Sequence, residues 1–330
     1  MEATSSFVAP WWLRNRHCQT LWPVLFRRRR FRATTHERLE LPDGDFLDLA
    51  WTKPAKGPVV LVVHGLQGSF DSHYVRGLLS TIESLAWQGV LMHFRGCSGT
   101  INRLARSYHS GDTADLAYVV NLLRQRNPAT PIFAVGFSLG ANVLLKWLGE
   151  TGINNEIKAA AAVSVPFRLD LAVDNLRHGF ARLYQWYLLR SLLRTTRAKF
   201  ARRSDSPCRR EQLSHITTLR QFDDCVTAPL HGFTDAADYY RQSSCADFIA
   251  RIRVPTLIVH AADDPFLPAS AIPPRDIASP LVQMAISRHG GHVGFVGGSV
   301  PWRPCYYVDK RIPTFFSEFV NSPAPALRSG

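Results

Sequence analysis

Ile132-Phe133-Ala134-Val135-Gly136-Phe137-Ser138-Leu139-Gly140-Ala141-Asn142-Val143-Leu144-Leu145 is the stretch whose reading decides the rest of the chain. An apolar run behind Pro131 leads into Gly-x-Ser-x-Gly at 136–140, and a helix-forming run follows at once. A continuous apolar run of this length suits a strand buried on both faces of a parallel sheet. Small residues at 136 and 140 let the backbone turn closely around Ser138. The pattern therefore predicts a strand, a sharp turn and a helix, with the Ser138 hydroxyl projecting at the sheet's carboxyl edge. An activated serine nucleophile needs that placement. The five-residue pattern alone recurs by chance. Its weight comes from the strand before it and the helix after it, without which Ser138 would be an ordinary helix cap.

Similar apolar runs recur on either side. Val59–Val63 follows Pro58, Val90–Phe94 follows Gly89, and Ala159–Val165 is apolar except for Ser164. Thr256–Val259 follows Pro255, and Leu281–Ser287 is the last candidate. Helical segments fit between them at Tyr74–Gln88, Gly111–Gln125 and Leu139–Leu148. Alternation of this kind implies an α/β fold with a mostly parallel central sheet flanked by helices. Leu39–Trp51 reads as a hairpin turning at Asp43-Gly44. Residues 167–249 break the rhythm. They carry Phe180, Leu183, Tyr184, Trp186, Tyr187 and Leu188 among arginines, with no strong strand signal, and read as a mainly helical cap-like insertion. Residues 1–38 read as an N-terminal extension packed on the core, 39–166 and 250–320 as the core, and 321–330 as a frayed tail.

A serine nucleophile needs a base, and the base needs an orienting acid. The strand at 256–259 runs into His260-Ala261-Ala262-Asp263-Asp264-Pro265-Phe266, and the strand at 281–287 runs into His289-Gly290-Gly291-His292-Val293-Gly294-Phe295. His292 lies among glycines, in a loop able to approach Ser138, and is the predicted base. His289 lies nearer the strand end and reads as structural. Of the adjacent carboxylates, Asp264 is the predicted orienting acid, while Asp263 could cap a turn or hold the loop. His64-Gly65-Leu66-Gln67-Gly68 follows the first long strand, where one oxyanion donor belongs. The backbone amides of Leu66 and Leu139 are the candidate pair. His64 reads as structural, and Arg95 either shapes the pocket or pairs with an acid beneath it.

The chain has 330 residues, is 46% hydrophobic and carries a formal net charge of +13. That length fits one large α/β domain with an insertion. The basic residues cluster in Arg27–Arg30 with Arg32, and from Arg190 to Arg210. A solvated basic face is the plain reading and peripheral contact with an anionic membrane the second. Nucleic acid is not expected, since no zinc-finger spacing or RNA-binding signature accompanies the charge. The six cysteines include no C-x-x-C pair, which disfavours a zinc site or a disulfide scaffold. The loop at 93–99 lacks the dinucleotide fingerprint, so NAD is not implied, and few plausible metal ligands stand at site-like spacing, so no metal or other cofactor is expected. With no secretory core and no run of membrane-spanning length, the expected location is cytoplasmic, with a monomer slightly favoured.

Several uncommon stretches agree in order with one family. They include Arg16-His17-Cys18-Gln19-Thr20-Leu21, Leu39–Phe46, Met92–Gly99, Gly136–Asn142, Phe222-Asp223-Asp224, His231-Gly232-Phe233, Asp238-Tyr239-Tyr240-Arg241, Asp263–Phe266 and Gly290–Phe295. In these the chain resembles, over nearly its whole length, the YheT-type bacterial hydrolases of the α/β-hydrolase superfamily. The resemblance implies Ser138 as nucleophile, Asp264 as charge partner and His292 as base. It implies hydrolysis of carboxylic esters, with short- or medium-chain acyl esters or monoacylglycerols as substrates. An acyltransferase using the same acyl-enzyme, a thioesterase and a lactonase are the alternatives.

Overall fold

The apolar runs become the strands of one eight-stranded sheet, ordered β1-β2-β4-β3-β5-β6-β7-β8. The computed structural model describes residues 7–27, 31–201 and 203–321. In chain order the strands are β1 (Thr35–Glu40), β2 (Phe46–Trp51), β3 (Val59–Val63), β4 (Gln88–Met92), β5 (Ile132–Phe137), β6 (Ala159–Val163), β7 (Thr256–Ala261) and β8 (Val282–Ser287). Strands β3 to β8 run parallel, and β1 and β2 form the antiparallel edge.

Alternation along β5 shows why both faces must be covered. Ile132 and Ala134 point into one apolar layer, while Phe133, Val135 and Phe137 point into the other. Among the helices, α1 is Arg16–Phe26, α2 His73–Ser84, α3 Ala114–Arg126 and α4 Leu139–Thr151. Helices α3 and α4 cover the first face. The second is covered by α2 and by the C-terminal helix Tyr307–Ser317. The fold is thus the α/β-hydrolase fold.

A helical cap stands above this sheet between β6 and β7. It contains α5 (Leu169–Asn175), α6 (Ala181–Phe200), α7 (Arg210–His215), α8 (Leu219–Phe222), a π-helical turn at Asp223–Thr227, α9 (Ala228–His231) and α10 (Ala236–Ser243). Its apolar residues form a cluster of their own, including Leu176, Leu189, Leu193, Phe222 and Tyr239. Asn142 of α4 ties the end of the cap to the sheet layer. Its amide donates to the carbonyls of Ser110 and Ser243 at 2.8 and 2.7 Å, and its carbonyl accepts from the Cys245 amide at 2.9 Å.

Element ends differ from the sequence expectations in several places. Strand β1 starts at Thr35, inside the stretch read as extension, because Thr35-His36-Glu37-Arg38 is an exposed polar edge without an apolar signal. Helix α2 stops at Ser84 rather than running to 88, since Gln88 already pairs with Val59 in the sheet. Arg28–Arg30 and Arg202 of the basic blocks, and 322–330 of the expected tail, lie outside the described residues. Among the described residues no helix is long and apolar enough to cross a membrane.

Candidate active site

Ser138 sits between the end of β5 and the start of α4 with φ 51° and ψ −117°. The left-handed φ is held by neighbours rather than by the residue's own preference. Its amide donates to Val163 O at 2.9 Å, and its carbonyl accepts from Ala141 N at 2.9 Å and Asn142 N at 3.1 Å. The two glycines of the turn are required by close approach. A Cβ on Gly136 would lie 2.5 Å from Gly140 O and 2.6 Å from Ala141 Cα, and one on Gly140 would collide with the carbonyls of Val63 and His64.

The serine meets a histidine and a carboxylate there. Ser138 Oγ lies 3.0 Å from His292 Nε2, and His292 Nδ1 lies 2.9 Å from Asp264 Oδ2. With Asp264 ionised, the proton belongs on Nδ1, and Nε2 is left to accept from the serine hydroxyl. Asp264 is buried, and its other oxygen accepts from Phe266 N at 2.8 Å. Asp263 points elsewhere. It accepts from Gly291 N at 3.0 Å and lies 3.2 Å from His289 Nδ1, so the pair Asp263–His289 braces the loop that carries His292.

That loop is held from far along the chain. The His292 amide donates to Thr20 Oγ at 3.0 Å. Gln19 accepts from Val296 N at 2.8 Å and donates to Val296 O at 2.9 Å. Gly291, with φ +59°, lets α1 seat closely, since a Cβ there would lie 2.5 Å from Arg16 O. Ser164, the polar residue ending the apolar run of β6, accepts from Val293 N at 2.9 Å. Sequence reasoning assigned no role to Gln19, Thr20 or Ser164. Ser164 alone offered a signal, a polar residue within an apolar run.

The candidate oxyanion loop follows β3. Among the described residues the Leu66 and Leu139 amides have no hydrogen-bond acceptor, whereas the amides on either side of Leu66 do. Gly65 N donates to Tyr74 Oη at 3.0 Å and Gln67 N to Tyr108 Oη at 2.9 Å. The loop comes close to the serine, because a Cβ on Gly65 would lie 3.2 Å from Ser138 Cβ. Gln67, at φ 53°, also reaches the cap: its side-chain oxygen accepts from Ser191 Oγ and Thr195 Oγ of α6, both at 3.1 Å. His64 is fully buried, with Nδ1 2.7 Å from Gly65 O and Nε2 accepting from Phe94 N at 3.1 Å. Burial lowers its pKa to about 3, so it stays neutral and structural. Arg95 pairs with acids, meeting both oxygens of Asp115 at 2.7 Å, with Asp43 at 2.7 Å and Asp45 at 3.0 Å.

Between cap and sheet lies a cavity of about 1500 Å³ that reaches Ser138, His292, Leu66 and Leu139. Its walls include Leu169, Val173, Leu176, Phe222, Val226 and Tyr239 of the cap. One wall contacts the His292 ring directly. The Phe266 ring stacks on His292 at 3.9 Å and on Tyr184 of α6 at 5.0 Å. At its other end α6 is pinned by Lys199, which donates to Asn102 Oδ1 at 2.8 Å, Arg106 O at 2.6 Å and Ser107 Oγ at 3.0 Å. Burial lowers that ammonium's pKa to about 8.

Residues 58–299 match the family described as α/β hydrolase fold. The protein named "Putative esterase YheT" of Escherichia coli (strain K12) is 41% identical over 326 residues, 97% of this chain and 96% of its own length. Phospholipase ABHD3 of Mus musculus is 29% identical over 301 residues, 87% of this chain and 71% of that protein. A monoacylglycerol lipase of Saccharomyces cerevisiae is 31% identical over 246 residues, 72% of this chain and 55% of that protein. Among solved structures, the Pyrococcus furiosus esterase Pf2001 is similar with a TM-score of 0.57 at 17% identity, covering 87% of this chain and 92% of that one. At that identity the likeness is one of fold.

Proposed function

Because this chain belongs to the α/β-hydrolase family, in its YheT-type branch, we propose that it is a serine carboxylesterase working through an acyl-enzyme on short- or medium-chain acyl esters or monoacylglycerols. The observation that carries this reading is the hydrogen-bonded line from Ser138 Oγ through the His292 ring to Asp264, at 3.0 and 2.9 Å, opening into a cavity with apolar walls. The names of the relatives, an esterase, a phospholipase and a lipase, support an ester- or lipid-cleaving hydrolase.

Each group has a role in the proposed reaction. His292 Nε2 takes the Ser138 proton as Oγ attacks the ester carbonyl, and Asp264 holds the ring and stabilises the imidazolium. The carbonyl oxygen becomes an oxyanion, which the Leu66 and Leu139 amides receive. Free amides aimed at that position act without reorganisation. Helix α4 begins at Leu139, so its N-terminal partial charge favours the same anion. The tetrahedral adduct collapses as the ester's C–O bond breaks, and His292 returns its proton to the leaving alcohol. Water then attacks the acyl-serine, with His292 again as base, and the carboxylic acid departs with Ser138 restored.

The test is a panel of acyl esters, thioesters and lactones of graded chain length, read by product mass beside Ser138→Ala. The reading expects acid and alcohol from esters, and no turnover by the variant. Turnover confined to thioesters or lactones, or acyl transfer to an added alcohol outrunning hydrolysis, would replace it.

A further inference from the structure

The cavity's mouth differs from its walls. Phe180, Leu183, Trp186 and Tyr187 of the cap and Val24 of α1 border the cavity, yet they are 46%, 54%, 57%, 70% and 62% exposed. An apolar wall inside a pocket needs no further explanation, but large apolar side chains turned outward around its opening do.

Helix α6 arranges its share in one stripe. Leu183, Trp186, Tyr187, Arg190 and Arg194 follow one another at helical spacing and lie on one face. Arg190 sits over the Trp186 ring at 5.3 Å. No acidic residue occurs anywhere from Ala181 to Phe200. Arg182, Arg190 and Arg194 are exposed, and among the described residues none of them meets a carboxylate. Arg38, Arg103 and Arg126, by contrast, are exposed yet paired, with Asp48, Glu40 and Glu37. Aromatic and aliphatic groups flanked by uncompensated arginines make the face of a helix that lies in a lipid headgroup layer. The occupant must be apolar beneath and anionic above.

We propose that this rim, the outer face of α6 with Val24 of α1, docks the enzyme on an anionic lipid bilayer so that the cavity opens onto the membrane. The apolar side chains enter the acyl boundary, and Arg182, Arg190 and Arg194 meet the headgroup phosphates. The anchorage of α6 suits this use: Tyr184 at one end stacks on Phe266, and Lys199 at the other binds the 102–107 loop, so the stripe is presented on a fixed beam. The consequence for catalysis, entry of an ester from the membrane without crossing water, rests on the esterase reading. The docking itself does not.

Vesicle flotation with Ser138→Ala protein separates the two. The protein should float with vesicles of phosphatidylglycerol mixed into phosphatidylcholine, and far less with phosphatidylcholine alone or at high salt. Trp186→Ala with Tyr187→Ala should abolish most of the binding. Arg190→Gln and Arg194→Gln should each weaken it roughly fivefold. Circular dichroism and thermal melts of the same rim changes should match the parent, which shows that they fold, and the parent Ser138 protein is assayed beside them on a short, water-soluble ester. No flotation on the anionic vesicles, or equal flotation of rim variants and parent, overturns the proposal. Equal binding to both vesicle types overturns its anionic part. Failure of the Ser138 protein to cleave the soluble ester would instead count against the esterase reading while leaving the flotation result intact.

Discussion

Two neighbouring carboxylates do different work, and the hydrogen bonds separate them. Asp264 faces the His292 ring, whereas Asp263 binds Gly291 N and His289. In the proposed mechanism Asp264→Asn disturbs both the tautomer and the developing charge of the imidazole, so kcat should fall by about 10³- to 10⁴-fold. Asp263→Asn should lower the melting temperature but keep kcat within about tenfold, because it loosens the loop without touching the reacting atoms. Steady-state kinetics on a soluble ester and thermal melts of both variants check this. A folded, active Asp264→Asn beside an inactive Asp263→Asn would reverse the assignment. Thr20 offers a subtler case. Thr20→Val leaves the His292 amide without its acceptor, at a cost of about 1–3 kcal/mol. Thr20→Ser should restore both stability and turnover, and failure of that rescue would deny the hydroxyl its positioning role.

At the scale of elements, the turn at 136–140 and the cap carry separate predictions. Gly140→Ala drives a methyl group into the β3 carbonyls, so it should reduce the melting temperature sharply or prevent folding. Val226, buried in the cap and lining the cavity, is the place to alter specificity. Val226→Trp should shorten the preferred acyl chain, since each methylene excluded removes roughly 0.8 kcal/mol of burial. A chain-length series reads this, and an unchanged preference would mean that the acyl group runs elsewhere. These elements were legible in the sequence to different degrees. The parallel strands announced themselves because burial on both faces demands unbroken apolar runs, and the candidate catalytic loops because they follow such strands. The antiparallel edge was legible only from residue 39, since Thr35–Arg38 faces solvent. The cap was recognisable as helical, but its short helices and the π-turn at Asp223–Thr227 carry no long periodic pattern. The contacts of Thr20 with His292 and Gln67 with Ser191 join residues remote in sequence, which no local pattern encodes.

For the whole molecule, buried histidines govern the response to acid. Burial pushes the pKa values of His64, His73 and His109 down to about 3 and those of His231 and His260 to about 4. Unfolded, each titrates near 6.5. Below that pH the unfolded chain binds protons that the native rings refuse. Stability present above pH 6.5 is therefore lost as the pH falls toward 4, by about 1.4 kcal/mol per pH unit for each ring. Asp112 and Asp223 oppose this: burial raises both to about 6, so their contribution is present below 3.8 and lost as the pH rises through 6. The histidines outnumber them, and the melting temperature should drop between pH 7 and pH 5. A flat or rising melting temperature over that range would show that these rings are hydrated or paired in the native state. The central claim, that Ser138 carries the acyl group, is tested most directly by acid-quenching the enzyme during turnover of an activated ester and mapping the acyl mass by peptide sequencing. The account predicts a transient adduct on Ser138 that decays as substrate is consumed, with no adduct and no turnover in Ser138→Ala. Turnover persisting in a folded Ser138→Ala protein, or an adduct on another residue that forms and decays at the rate of turnover, would contradict it.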